Sequence, residues 1–217
     1  DCSELTGINK GDKVRKKQQL IIGLSIGGGL VVISLIIIIV ALSTKSHEGQ
    51  SNPIGQINCI YNVQTLSEPI PLIGTEFKLG SNSLGIYIDG KQIKYSKEYQ
   101  FDSMGAHNIE IKIYSKLNMD YMFKDIKDLV SVDMMSEKKC QITSMVSTFE
   151  NCINLIHFNL TGFKADNLKS MKKLFCKTSI TKFYLNEFNT LVLEDISYML
   201  ANSKIEIIDF YDLNTNR

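Results

Sequence analysis

The chain has 217 residues, of which 44% are hydrophobic and 22% are charged, a composition typical of one or two small globular domains. Its formal net charge of +1 leaves no basic surplus to neutralise phosphates, which argues against a nucleic-acid-binding protein. One segment departs from this average. Residues 20–42 form an almost entirely apolar run without a single charged side chain.

Residues 20–42 predict a transmembrane helix. At about 1.5 Å per residue such a helix is about 34 Å long, enough to cross a hydrocarbon core of about 30 Å. A cleaved secretory signal and a buried core helix are the alternatives, although both are usually shorter than this run. The small residues Gly23 and Gly27 lie four apart and indicate a helix face through which a homodimer could form.

The charges that flank this run predict its orientation. Five basic residues lie within 10–17, whereas only Lys45 follows the run before residue 60. Because Lys and Arg are enriched on the cytoplasmic side, 1–19 is expected in the cytoplasm and the C-terminus outside the cell. The expected localisation is therefore a single-pass protein of the plasma membrane, with a polar linker at 43–56.

Residues 57–115 predict a small all-β, sandwich-like domain. Asp89-Gly90 lies between two alternating apolar segments and is typical of a tight hairpin. Alternation continues through Ile109, Ile111 and Ile113. No second ligand-type residue lies at metal-binding spacing from His107, which is interpreted as a surface or turn histidine.

From residue 117 onward, apolar residues recur at intervals of 25 or 26. Two of these columns contain Phe123, Phe149, Phe175 and Leu200, and Leu129, Leu155, Ile180 and Ile205. Each unit combines a helical spacing of apolar residues with a short alternating segment, as leucine-rich repeats do. The predicted fold class is therefore an α/β solenoid over 117–217. It has four coils, each with a parallel strand and a short helix, and it follows the transmembrane helix and the small β domain. The chain as a whole is expected to be a piece of a longer protein.

The segments MVSTFENCINLIHFNLTGFKA and ISYMLANSKIEIIDFYDLNTN resemble the BspA-type leucine-rich repeat, whose units read approximately MxxMFxxCxxLxxLDLSxFxT. The resemblance covers about 117–217. It departs from the family at Glu137, where later units have Phe163 and Phe188, and only Cys152 holds the family's cysteine position. The resemblance implies a membrane-anchored surface protein, of the kind found in microbial eukaryotes and bacteria, that acts in adhesion or partner contact.

Outward strand positions of the repeats are expected to form a binding face. Its residues are Ser131, Asp133, His157, Asn159, Lys182, Tyr184, Ile207 and Asp209. The favoured interpretation is a cell-surface protein that mediates adhesion or recognition of an extracellular protein or glycan. The alternatives are the ectodomain of a transmembrane receptor or sensor with a missing cytosolic signalling domain, and a structural coat protein. Asn159 also begins the sequon Asn159-Leu160-Thr161 and is a candidate for glycosylation.

No motif in the chain indicates catalysis, a cofactor or a metal, so none of the three is expected. Four cysteines follow the predicted membrane span, namely Cys59, Cys140, Cys152 and Cys176. Four cysteines allow three disulfide pairings, and their spacing does not select one of them. Cys152 and Cys176 belong to neighbouring coils and are candidates for a bridge, whereas the BspA-type resemblance implies buried, reduced cysteines.

Overall fold

The computed structural model describes residues 52–79, 82–136, 140–163, 165–185, 188 and 192–209. Ser51–Arg217 form one compact unit. The strands in chain order are β1 (Gly55–Val63), β2 (Ile70–Pro71), β3 (Leu84–Ile88), β4 (Lys91–Ile93), β5 (Glu98–Tyr99), β6 (Gly105–Ile113), β7 (Leu117–Asn118), β8 (Leu129–Met135), β9 (Ile142–Ser144), β10 (His157–Thr161), β11 (Lys182–Tyr184) and β12 (Ile207–Asp209).

A six-stranded sheet in the order β10-β8-β1-β6-β3-β4 forms the centre of the fold. Its neighbours are antiparallel except β8 and β10, which are parallel. Strands β1 and β6 alternate buried and more exposed residues, as expected where one face of a sheet packs on a core. The hairpin predicted at Asp89-Gly90 is confirmed, because these residues connect β3 to β4.

Four turn segments replace the predicted helices, and they comprise 119–126, 145–152, 171–178 and 196–203. Some N–H groups of each segment donate to the carbonyl three residues back, as Met122 does to Met119 at 3.0 Å. Alternate N–H groups of the first three segments donate to the next segment, as Phe123 does to Thr148 at 2.9 Å. Apolar residues at i, i+3 and i+4 therefore face the core from turns that bond sideways, not from helices.

The phenylalanines of these turns stack in the core. Phe149 lies between Phe123 and Phe175, with ring centroids 5.4 and 5.5 Å apart and nearly parallel planes. All three rings are fully buried, and Leu200 packs partly buried against the same core. The aromatic column gives this part of the chain its largest buried side chains.

The predicted α/β solenoid of leucine-rich-repeat type is wrong. The described residues are mostly β-strands and turns, and they contain no α-helix. The expected repeat strands do not form one continuous parallel sheet, because β8 and β10 join the six-stranded sheet while β11 and β12 pair separately. The reason is that β8 completes an antiparallel sheet on β1, which the apolar columns alone do not reveal.

The predicted transmembrane helix is also corrected. In the part of the chain that the structure describes, no helix has the length and apolarity that a membrane crossing requires. The single-pass plasma-membrane localisation and its N-in, C-out orientation were derived from that helix and are corrected with it. Residues 1–19 and 20–42, including Gly23 and Gly27, lie outside the described residues.

Candidate functional site

Two pairs of parallel strands carry the eight residues of the predicted binding face. On β8 and β10, Ser131 lies opposite His157 and Asp133 lies opposite Asn159. On β11 and β12, the same register places Lys182 opposite Ile207 and Tyr184 opposite Asp209. The structure thus brings the eight residues together as two groups of four, one on each strand pair.

The alternation of β10 and β11 explains why these side chains point away from the core. Leu160 and Phe183 are buried, while His157, Asn159, Lys182 and Tyr184 are exposed. His157 Nε2 lies 3.2 Å from Asp133 Oδ1, and this contact joins neighbouring strands at the surface. Because both side chains are about half exposed, the pair orients the imidazole more than it stabilises the fold.

A groove of about 470 Å³ lies between β10 and β11. It is lined by Ile156, His157, Phe158, Asn159, Leu160, Thr181, Lys182, Phe183, Tyr184 and Phe188. Phe183 lies 5.8 Å from Phe188 and 6.4 Å from Phe158, measured between ring centroids, so aromatic rings line part of the groove. Aromatic surface beside a few polar groups is the usual composition of a recognition site.

A second polar cluster lies at the hairpin between β3 and β4. His107 Nδ1 lies 2.7 Å from Asp89 Oδ2, and His107 Nε2 lies 3.0 Å from the carbonyl oxygen of Ser103. Burial opposes protonation of the imidazole, but its hydrogen bonds to Asp89 and Ser103 and the nearby carboxylates raise the pKa of His107. The hydrogen bond from His107 lowers the pKa of Asp89.

The residue types of this cluster match a Ser-His-Asp triad, but its geometry does not. Ser103 Oγ lies 3.4 Å from His107 Nε2, farther than the carbonyl oxygen of the same residue. A carbonyl only accepts, so Nε2 is protonated whenever it makes this 3.0 Å bond and in that state is not a base for the hydroxyl. The cluster therefore joins the hairpin turn to β6, and the expectation that the chain is not an enzyme stays a prediction.

The interpretation of His107 as a surface or turn residue is corrected, because only 7% of the residue is exposed. A signal for this burial was present in the sequence. His107 lies two, four and six residues before Ile109, Ile111 and Ile113, which all face the core on β6. The alternation that predicted the strand therefore also placed the imidazole on its buried face.

The four described cysteines are free and buried. Burial raises the pKa of Cys140 to about 11 and raises the pKa values of Cys59 and Cys152 further. The Cys152 thiol donates to the carbonyl oxygen of Phe123 at 2.8 Å. The structure contains no bridge between Cys152 and Cys176, and each thiol acts as a small core residue.

No cluster of metal-binding side chains occurs within the described ranges. Asn159 is exposed on β10, and its glycosylation stays a prediction from the sequon. In comparisons with known proteins, no protein-family model, no curated protein and no solved structure matches this chain.

Proposed function

We propose that the chain is a binding module that recognises a partner protein or glycan at the outward face of β8, β10, β11 and β12. One observation supports this proposal most directly. The polar and aromatic side chains of His157, Asn159, Lys182 and Tyr184 border a groove that aromatic rings also line. Tyr184 and Ile207 are 50% and 46% exposed, an apolar surface that a partner would cover.

The side chains suit recognition by contact over a surface. Tyr184 supplies a large contact area with a hydroxyl group, and His157 is oriented by Asp133 at 3.2 Å. Lys182 adds a cation beside these groups. Binding sites for proteins and for glycans both combine aromatic surface with directed polar groups.

The test uses arrays of folded protein domains and of glycans. The probe is the labelled protein together with a His157→Ala/Tyr184→Ala variant and a Met104→Ala control, whose side chain is 65% exposed and does not line the groove. We expect at least one array member to bind the parent and the control equally and to bind the double variant about tenfold more weakly. The proposal fails if every interaction survives the double substitution, or if no member binds the parent.

A further inference from the structure

In the last turn segment, 196–203, a row of backbone N–H groups is left over. The equivalent N–H groups of the earlier segments each donate to the segment that follows or to the residue just before it. In segment 171–178, the N–H groups of Met171, Lys173, Phe175 and Lys177 donate to the carbonyls of Asp195, Ser197, Met199 and Ala201 at 2.8–3.0 Å. The equivalent N–H groups of 196–203 belong to Ile196, Tyr198, Leu200 and Asn202. Within the described residues, none of these four donors meets an acceptor.

On the edge of an ordinary strand, unpaired N–H groups alternate with unpaired C=O groups. The C=O groups of 196–201 are instead already bonded. The carbonyls of Ser197, Met199 and Ala201 already accept bonds from segment 171–178. The carbonyls of Ile196, Tyr198 and Leu200 accept bonds inside the segment itself. Among polypeptide partners, one that presents carbonyl oxygens at alternate residues matches these four N–H groups, which meet no acceptor among the described residues.

Two exposed apolar side chains belong to the segment that carries these donors. Ile196 and Tyr198 are 43% and 68% exposed. Such apolar side chains next to unpaired backbone groups are typical of a surface that another polypeptide covers.

The opposite end of the row of turns is covered by the chain itself. The Gly74 N–H donates to the Met122 carbonyl at 2.8 Å, and Glu76 pairs with Lys124. A methyl group placed on Gly74 would lie 2.1 Å from the Tyr121 carbonyl oxygen, so the two backbones are in close contact. One end of the turns is therefore capped, whereas no described residue covers the donors at 196–203.

From this asymmetry we infer that 196–203 docks a backbone segment of a partner polypeptide that has the same consecutive-turn conformation. Such a segment presents carbonyls at alternate residues, as 170–176 does to Met145, Ser147, Phe149 and Asn151. A second copy cannot bind through the same edge, because donors would face donors. A second copy also cannot bind by its first turn segment, which Gly74 and Glu76 cover.

This docking edge is distinct from the groove between β10 and β11, so the inference does not depend on the proposed function. The probe is a segment with the sequence of residues 170–195, joined after Arg217 through a flexible Gly/Ser linker that raises its effective concentration. The control is the same linker carrying these residues in scrambled order. Amide hydrogen exchange is measured residue by residue with NMR.

We expect the probe to slow exchange at Ile196, Tyr198, Leu200 and Asn202 at least tenfold relative to the scrambled control. Tyr198→Asp should remove this protection, whereas Met104→Asp, at a 65% exposed site elsewhere, should leave it intact. Equal exchange with both linked segments would overturn the inference. The inference would also be overturned if these four amides in the unlinked protein were as protected as those of 171–177. Protection that rises with protein concentration would indicate self-association and would overturn it as well.

Discussion

His107 Nδ1 lies 2.7 Å from Asp89 Oδ2, and this contact joins the turn between β3 and β4 to strand β6. The second ring nitrogen is held by the carbonyl oxygen of Ser103 at 3.0 Å. The imidazole thus donates two hydrogen bonds when it is protonated and loses one of them when it is neutral. This geometry makes local stability depend on pH.

The pKa of His107 is raised in the folded state, so protonation stabilises the fold. Its contribution is fully present below the unfolded pKa of about 6.5 and is lost as the pH rises through the raised folded value. The pKa of Asp89 is lowered, so its contribution is present above 3.8 and is lost as the pH falls through the lowered folded value. We expect the pair to stabilise the protein most between these two limits.

Denaturant unfolding of the parent and of His107→Gln across pH 4–9 tests this expectation. The variant should lose about 1–2 kcal/mol at pH 5, with a smaller difference at pH 9. Asp102→Asn should weaken the pH dependence only in part, because Asp102 raises the pKa of His107 through its charge without a hydrogen bond to the ring. A difference between parent and variant that stays constant with pH would contradict the prediction.

Substitution of the central stacked ring should be the most damaging change in the core. Phe149→Ala removes a fully buried side chain from between Phe123 and Phe175 and is expected to cost about 3–5 kcal/mol. Phe149→Leu retains most of the volume and should cost much less. Both values come from the free energy of unfolding in urea. Similar losses in the two variants would show that ring stacking, not buried volume, dominates at this site.

Gly74→Ala is expected to destabilise the cap of the first turn segment. The added methyl group would lie 2.1 Å from the backbone oxygen of Tyr121, which belongs to rigid main chain. We expect a loss of about 1–3 kcal/mol in thermal or denaturant unfolding. Gly85→Ala is the matched control, since its φ is not positive and its methyl group would come no closer than 3.4 Å to the side chains of Tyr114 and Tyr87. An equal loss in the two variants would argue against the close contact.

Glycine should be favourable at selected positions of the turn segments. Lys177 is exposed and has a φ of 59°, a left-handed conformation that costs a residue with a Cβ about 1–2 kcal/mol. After the greater entropy loss of glycine is subtracted, Lys177→Gly is expected to stabilise the fold by about 0.5 kcal/mol. Lys182→Gly, in β11, should instead destabilise by about 0.5–1 kcal/mol. Thermal unfolding checks both signs, and a loss at Lys177 would refute the prediction.

The buried thiols should react slowly while the protein is folded. A rise in the pKa of Cys140 from 9.0 to about 11 reduces its thiolate fraction at neutral pH roughly a hundredfold. Cys59 and Cys152 should react more slowly still, because their pKa values are higher. Iodoacetamide labelling at pH 8, read by peptide mass spectrometry, should be fast only in denaturant. Rapid labelling of Cys59 in the folded protein would contradict its burial.

Local alternation predicted β3, β4 and β6 well. Ile109, Ile111 and Ile113 face the core as their spacing indicated, and Asp89-Gly90 forms the turn between β3 and β4. These features depend on neighbours in sequence, where the period of two in a strand determines which side chains face inward. The outward positions of the candidate face follow from the same alternation, as the exposure of His157 and Asn159 shows.

The helices were predicted incorrectly because apolar residues at i, i+3 and i+4 are compatible with more than one backbone. In 119–126 the N–H of Phe123 bonds to Thr148, more than twenty residues away, and not to a carbonyl of its own turn. That choice depends on the segment beside it. The pairing of β8 with β1, the open groove beside β11 and the uncovered donors of Tyr198 and its neighbours likewise depend on which edges meet.

The sequence by itself therefore determined which residues are apolar, which of them share a face and where the tight hairpin turns. Only the tertiary structure decided that the turn segments bond sideways, that His107 is buried against Asp89 and that the described parallel strands divide among three sheets. The physical reason is that side-chain periodicity is a local property, whereas the partner of each backbone N–H and C=O group is selected by distant parts of the chain.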